Sequence, residues 1–561
     1  MAFLVSPGVQ VKEIDLTNVV PAVSSTTGAM AGAFTWGPCD EVTTVTSETE
    51  LVEKFGKPDS GTYESVLTAA QFLSYGNNLK VVRAVGGALN ATASGTGILT
   101  KNADVFSTQS PAAGDWVQAR YPGTYGNNLA VAYATANGSS DGWQSSSWWK
   151  SITESAPGTS AGAAAVGGSN DEIHVVVYDK TGVITGTINE ALEVYSFLSQ
   201  ASDVKDTDGS SLYYKDVINA QSNYVFVGNH PASLTKAGQS ATSNAFVQVA
   251  HAFNALTGGT DDNALTVGET TAAYGLFADA ETMDVSLVFQ ANSGLSAADN
   301  ITLSNYITAL CAARKDAVAF VSPERAATVN AAAPATTVAA WRTGLTSTSY
   351  GFADSGSLYV YDKYNDVYRW ICAAGSTAGL TANADLVADA WFSPAGFTRG
   401  NVRNVTKLAW NPSQAQRDEL YKTGVNPVVT FPGSGTVLFG DKTIQAKPSA
   451  FDRINVRRLF IVLEKAVSTA SKASLFEFND EFTRAQFRNM VEPFLRDVQG
   501  RRGITDFKVV CDGTNNTGAI IDTNKFVADI YVKPARSINY ITLNFIATRT
   551  GVEFSEIAGG N

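Results

Sequence analysis

The spacing of hydrophobic and polar positions changes several times along the chain. Val9 and Val11 alternate with polar residues within Pro7–Asp15, which predicts one short strand with no hairpin partner behind it. Residues 16–30 are mostly Thr, Ser, Val, Ala and Gly and read as a linker. A tether of about 12 extended residues reaches roughly 40 Å. A lone strand on such a tether either folds back onto its own domain or pairs with a sheet edge elsewhere, including one in another subunit.

Residues Ala31–Trp36 form a short apolar run stopped by Gly37-Pro38, and read as a strand. Val66, Leu67, Ala70, Phe72 and Leu73 then fall at helical spacing within Glu64–Tyr75, and Leu79–Val85 reads as the next strand. The same order recurs far downstream. Val285–Phe289 is a strand, Leu303, Tyr306, Ile307 and Leu310 mark a helix, and Ala317–Val321 is a strand stopped at Ser322-Pro323. Two β-α-β units so far apart predict one α/β domain with a large insertion.

The insertion, about residues 101–280, has short strands such as Ile173–Tyr178 and Tyr224–Val227 between Gly and Asn turns, and it carries Trp116, Trp143, Trp148 and Trp149. Its low-complexity stretch 156–169 predicts a mobile loop. Beyond the second unit, Asn411-Pro412 predicts a helix start with Pro in first position, and Phe451–Ala466 is helical. Asn479 is the expected cap of a helix holding Phe482, Phe487 and Met490, which Pro493 interrupts near its end. Strands are expected at Asp506–Val510, Lys525–Val532 and Ser537–Thr548, and Gly551–Ile557 alternates again after a polar break. The expected fold class is a multidomain α+β and α/β protein. Its parts are an N-terminal arm 1–22, a discontinuous α/β middle domain 23–100 and 280–405, and inserted β-rich outer domains 101–279. A C-terminal α+β core domain 406–550 and a C-terminal arm 551–561 follow.

Charge alters this picture. The chain has 561 residues, a net charge of −12 and only 16% charged residues. Residues 1–400 hold 19 basic and 36 acidic side chains, whereas 401–561 hold 21 basic and 16 acidic. Such asymmetry predicts different surroundings for the two parts. The acidic total argues against nucleic-acid binding, which needs clustered Lys and Arg. The start of the chain has no basic and apolar leader, and no apolar run approaches the ~18 residues of a membrane span. Production in cytoplasm-like conditions is expected.

The chemistry-bearing residues are sparse. His174, His230 and His251 are isolated, Cys39, Cys311, Cys372 and Cys511 form no C-x-x-C pair, and no G-x-S-x-G stretch is present. Gly435–Thr443 resembles a phosphate loop, but Asp441 stands where the phosphate-binding Lys must be, so a turn between strands is expected. Asp203, Asp206 and Asp208 lack the closing Glu of a calcium loop. No catalytic residue, cofactor or metal site is expected. Arg484, Arg488, Arg496, Arg501 and Arg502 form either a solvated helix face paired with Glu481, Glu492 and Asp497 or a cationic face for an acidic partner.

Several stretches together resemble contractile-tail sheath proteins of bacteriophages. They are Ser6-Pro7-Gly8-Val9 with Glu13, Gly32–Pro38 with Phe55-Gly56, Trp391–Gly400, Phe487–Leu495, Asn515-Asn516-Thr517 and Val532–Ile538. The resemblance covers about 1–95 and 280–561. It implies a structural subunit that polymerises as stacked hexameric rings around an inner tail tube, and that contracts to drive the tube through the host envelope. The implied partners are further copies of the chain, the tube protein, and baseplate and terminator proteins. The implied places are the virion and, during assembly, the host cytoplasm. Val9, Val11, Ile14, Val552 and Phe554 become the expected arm side chains that pair with a neighbour's sheet, and Arg496, Arg501 and Arg502 the expected tube contacts. Two other readings stay open. One is the sheath of a bacterial contractile injection system or bacteriocin. The other is a carbohydrate-binding surface protein, suggested by the Trp-rich acidic insertion.

Overall fold

The computed structural model describes residues 24–109, 115–135, 142–292 and 294–539. The chain divides into two compact units, one of Asn18–Leu475 and one of Met1–Thr17 with Phe476–Asn561.

The larger unit is built on a seven-stranded sheet. Its strands are Gly28–Gly32 (β1), Val42–Val45 (β2), Leu79–Arg83 (β3), Leu287–Phe289 (β4), Val318–Val321 (β5), Gly351–Asp354 (β6) and Val425–Asn426 (β7). They lie in the order β7-β6-β5-β4-β1-β3-β2. All neighbours are parallel except β2, which runs antiparallel to β3. The two β-α-β units therefore share one sheet, joined where β1 pairs with β4, and the insertion leaves between β3 and β4. Helices Glu48–Phe55 (α1), Tyr63–Leu73 (α2), Val267–Gly275 (α3), Ala297–Arg314 (α4), Pro334–Thr343 (α5), Ala374–Val387 (α6), Gln414–Thr423 (α7) and Ile454–Ser471 (α8) complete the unit. One sheet face buries Met30, Val81, Phe289 and Phe320 with Phe72 of α2 and Leu380 of α6. The other buries Ala29, Val82 and Val288 with Tyr274 of α3 and Leu303 and Ile307 of α4. Burial on both faces explains why β4 and β5 are apolar without alternation.

The sequence reading places the first strand at Ala31–Trp36, whereas it runs from Gly28 to Gly32. A Cβ on Gly28 would lie 2.5 Å from the Phe72 ring, and one on Gly32 would lie 2.4 Å from Ser65 Oγ. Helix α2 lies so close that only glycine fits, and glycine hides the strand from propensity. Asn411-Pro412 does not open a helix: the helix begins at Gln414 with Ser413 as its cap, and Ser413 N donates to Gln416 Oε1 at 2.9 Å. Strand β7, read from sequence as part of the C-terminal domain, pairs with β6 through Ala353–Val425. Gly435–Leu438 pairs with Val428–Phe431 as a hairpin, and Asp441 beyond it is buried, accepting from Tyr421 Oη (3.1 Å) and Ser393 Oγ (3.2 Å).

The insertion holds a four-stranded antiparallel sheet of Glu190–Ser199, Glu172–Asp179, Leu129–Ala134 and Ala252–Ala255, in that order. Trp149 is fully buried against it, and Trp148 meets Trp149, Tyr178 and Phe253 edge-on, so these tryptophans are packing residues. The stretch expected to be a mobile loop is folded. Ser160 caps the short helix Ala161–Ala165, and Ala163 is buried. Asp203 accepts from Ser240 Oγ and Ala241 N, while Asp206 and Asp208 close local turns.

In the second unit, helix Glu481–Gly500 (α9) packs on an antiparallel pair, Ile504–Val510 (β8) and Asp529–Pro534 (β9). Its cap is Asp480, whose carboxylate accepts from Thr483 N at 2.8 Å. Asn479 instead donates to Lys525 O. The helix continues through Pro493 without a break.

Candidate assembly surfaces

The sequence groups five arginines in and just after α9, and the structure separates them. Arg484 and Arg488 are half-buried and donate to the carbonyls of Asn516 and Cys511, holding the β8–β9 connection. Asn516, buried at its centre, accepts from Val527 N (2.9 Å) and donates to Val527 O (2.7 Å). Asn515 donates to Val510 O (2.7 Å). The Asn515-Asn516 motif thus pins the turn between the two strands. Arg496, Arg501 and Arg502 are exposed together at the far end of α9 and its cap. Arg501 lies 3.6 Å from Asp497, an exposed i,i+4 pair of little energetic weight.

Among the described residues this unit's sheet has two strands, β8 and β9. A two-stranded sheet is marginal by itself. The unit also presents Phe476, Phe478 and Phe482 to solvent, at 105%, 83% and 69% exposure. Three exposed phenylalanines in one short stretch form an apolar surface suited to a partner. The arm candidates Val9, Val11, Ile14, Val552 and Phe554 lie outside the described residues, as does most of the strand expected at Ser537–Thr548.

The Trp391–Gly400 stretch builds a tight loop in the larger unit. Gly396 has φ +96°, and a Cβ on Gly400 would lie 2.8 Å from Gly396 O. Gly396 N donates to Leu438 O (2.9 Å) and Leu438 N to Gly400 O (2.7 Å). Trp391 is buried, while the turn thrusts Phe397 outward to 57% exposure beside Phe431 and Phe439, at ring distances of 5.3 and 5.9 Å. Sequence reasoning missed this cluster and the Phe476–Phe482 group, because an exposed phenylalanine has the same letter as a core one.

The histidines serve packing. His174 Nε2 bonds Ser155 O at 2.8 Å and its Nδ1 accepts from Phe197 N at 3.0 Å, and burial holds its pKa below the usual histidine value. The four cysteines are buried and unbonded to one another, and burial raises the Cys39 thiol to about 11. Among the described residues, no group of three or more His, Cys, Asp or Glu side chains is placed to hold a metal ion.

The fold is that of sheath subunits. The sheath tail protein of Listeria innocua superposes with a TM-score of 0.55 at 14% identity, over 92% of this chain and 93% of that one. The helical sheath protein of the anti-feeding prophage in its contracted state superposes with a TM-score of 0.51 at 12% identity, over 97% and 100%. Sequence identifies the family. Residues 25–84 match the tail sheath protein Gp18 domain III N-terminal region, 292–444 the phage tail sheath central domain, and 446–548 the phage tail sheath C-terminal domain. The tail sheath protein of Vibrio phage KVP40 is 33% identical over 99% of this chain and 100% of its own length. That of Enterobacteria phage T4 is 33% identical over 99% of both. The chain belongs to the phage tail sheath protein family, whose members are structural subunits of contractile tails. These full-length alignments run through the insertion, which the sequence resemblance had left out.

Proposed function

We propose that this chain polymerises as stacked hexameric rings around an inner tail tube and contracts to drive that tube through the host envelope. The observation that carries this reading is the C-terminal unit, which has a two-stranded sheet among the described residues and presents Phe476, Phe478 and Phe482 to solvent. Extended segments of neighbouring copies complete such a sheet by strand addition, through Val9, Val11 and Ile14 at one end of the chain and Val552 and Phe554 at the other. A heterologous contact that does not close produces a helical polymer. Arg496, Arg501 and Arg502 form a cationic end that faces an acidic tube surface. Contraction exchanges one packing of rigid units for another of lower free energy, with strand pairing maintained. Baseplate and terminator proteins bound the polymer, the assembled subunit resides in the virion, and assembly occurs in the host cytoplasm. Full-length identity to phage proteins at 33%, against 12% to the prophage sheath, favours a phage tail over a bacterial injection device.

The test is negative-stain electron microscopy of the concentrated protein. Hollow tubes with a helical repeat are expected. Monomers that persist after seeding with tail tubes and baseplates would overturn the reading.

A further inference from the structure

The chain enters β1 through Ser24–Thr27, and helix α8 grips that approach. Arg458 Nη2 donates to Ser25 O at 3.0 Å. Two turns further along the same helix face, Lys465 Nζ donates to Ser24 O at 3.3 Å. Ile461 and Val462 lie between them, and Ser286 Oγ donates to Ser24 O from the start of β4. The void left among these groups is about 10 Å³, room for no more than one water. Thr27 O in turn accepts from Ser286 N and Leu287 N, both at 3.0 Å, and Gly28 N donates to Asn78 O at 2.9 Å.

The Arg458 guanidinium forms a fork with the Asp385 carboxylate of α6, and the two side chains are only 4% and 5% exposed. It also reaches the carbonyls of Thr381, within α6, and Ala390, just beyond that helix. Burying such a pair is costly, and an apolar pair of equal volume commonly does as well for stability. The stability of the core therefore does not require a charge here. What a hydrophobic pair cannot supply is a donor fixed in direction toward the Ser25 carbonyl. Asp385 fixes two guanidinium donors, and the remaining reach of Nη2 holds the backbone just ahead of β1.

Helix α8 also leads out of the unit: it ends at Ser471, and the chain leaves the unit at Leu475. One helix thus carries both the clamp on the N-terminal approach and the C-terminal exit. We propose that Arg458, held by Asp385, is the positioning residue that fixes the chain at Ser25, just ahead of β1, and that sheath assembly depends on this fixed root. A segment that links neighbouring subunits transmits force only if its root does not slide, and the ladder of β1 alone begins after the root. The assembly half of the inference rests on the proposed sheath function, whereas the clamp itself is a property of the soluble chain.

The experiment uses the full chain and the double variant Arg458→Met/Asp385→Leu, which removes the donor without stranding a buried charge. Hydrogen exchange on soluble protein reads the Gly28, Ser286 and Leu287 amides, and electron microscopy reads polymers. The expected result is a folded variant in which these amides exchange at least tenfold faster, while the Val509–Ile530 pair of the other unit is unchanged and ordered tubes are lost. Unchanged exchange at the three amides overturns the clamp. Faster exchange with normal tubes overturns its role in assembly. Should the double variant be unfolded, Arg458→Lys provides the second reading. It keeps the charge but loses the fork, and must still show faster exchange at the three amides for the proposal to stand. A wild-type chain that forms no tubes refutes the sheath reading, and exchange then still decides the clamp.

Discussion

Asp171 and Ser160 are joined through two bonds, Ser160 N to Oδ1 at 2.8 Å and Ser160 Oγ to Oδ2 at 2.7 Å, with Ser199 Oγ on the same Oδ2 at 2.6 Å. All three residues are buried. This carboxylate converts a Gly- and Ala-rich stretch into a seated turn. Asp171→Ala leaves buried donors unmatched, at about 1–3 kcal/mol each. Limited proteolysis is expected to cut the 156–169 stretch in the variant and spare it in the wild type, with the central sheet intact in both.

Asp354 sits at the end of β6 with its carboxyl fully buried. Burial raises its pKa from 3.8 to about 7, against the opposing hydrogen bonds from Ser322 and Gly356. The folded state thus binds the proton more tightly than the unfolded chain. Its stabilisation is complete below pH 3.8 and is lost as pH rises through about 7. The loss is on the order of 1 kcal/mol per pH unit across that window. Thermal unfolding of Asp354→Asn should show less decline between pH 5 and pH 8 than wild type. Parallel curves for the two proteins would refute the assignment.

Gly28 is expected to tolerate no side chain, since its Cβ would meet the Phe72 ring at 2.5 Å. Gly28→Ala should destabilise the larger unit by about 1–3 kcal/mol through overpacking. Combining it with Phe72→Leu should cost less than the sum of the two single changes, measured as a double-mutant cycle in denaturant.

Phe476, Phe478 and Phe482 are exposed in the isolated chain, so replacing all three with Ser should leave its stability within about 0.5 kcal/mol, as for ordinary surface positions. Light scattering should show that the triple variant no longer polymerises. Normal polymerisation would remove this surface from the assembly.

Arg496, Arg501 and Arg502 changed together to Glu should leave the fold unaltered and abolish co-sedimentation with tail tubes. The wild-type interaction should itself weaken as salt is raised from 50 to 500 mM, because exposed charges are screened. Tube binding by the Glu variant would exclude these residues from that contact.

The sequence by itself determined the α/β character of the core, the interruption by an acidic β-rich insertion and the α9-β8-β9 order of the C-terminal unit. Each of these rests on local periodicity: Leu303 and Ile307 mark one helix face, and Ile530 and Val532 one strand face. The family was legible too, because Trp391–Gly400 and Asn515-Asn516 are local motifs. The tertiary structure alone decided what depends on distant neighbours. Gly28–Gly32 is a strand because α2 lies against it, and 156–169 is ordered because Asp171 reaches back across the chain. Arg484 and Arg488 are structural while Arg496, Arg501 and Arg502 are exposed, although all five read alike in one helix region. Exposure likewise separates Phe397 and Phe476 from Phe72 and Phe289, since burial is set by what packs on a residue and not by its letter.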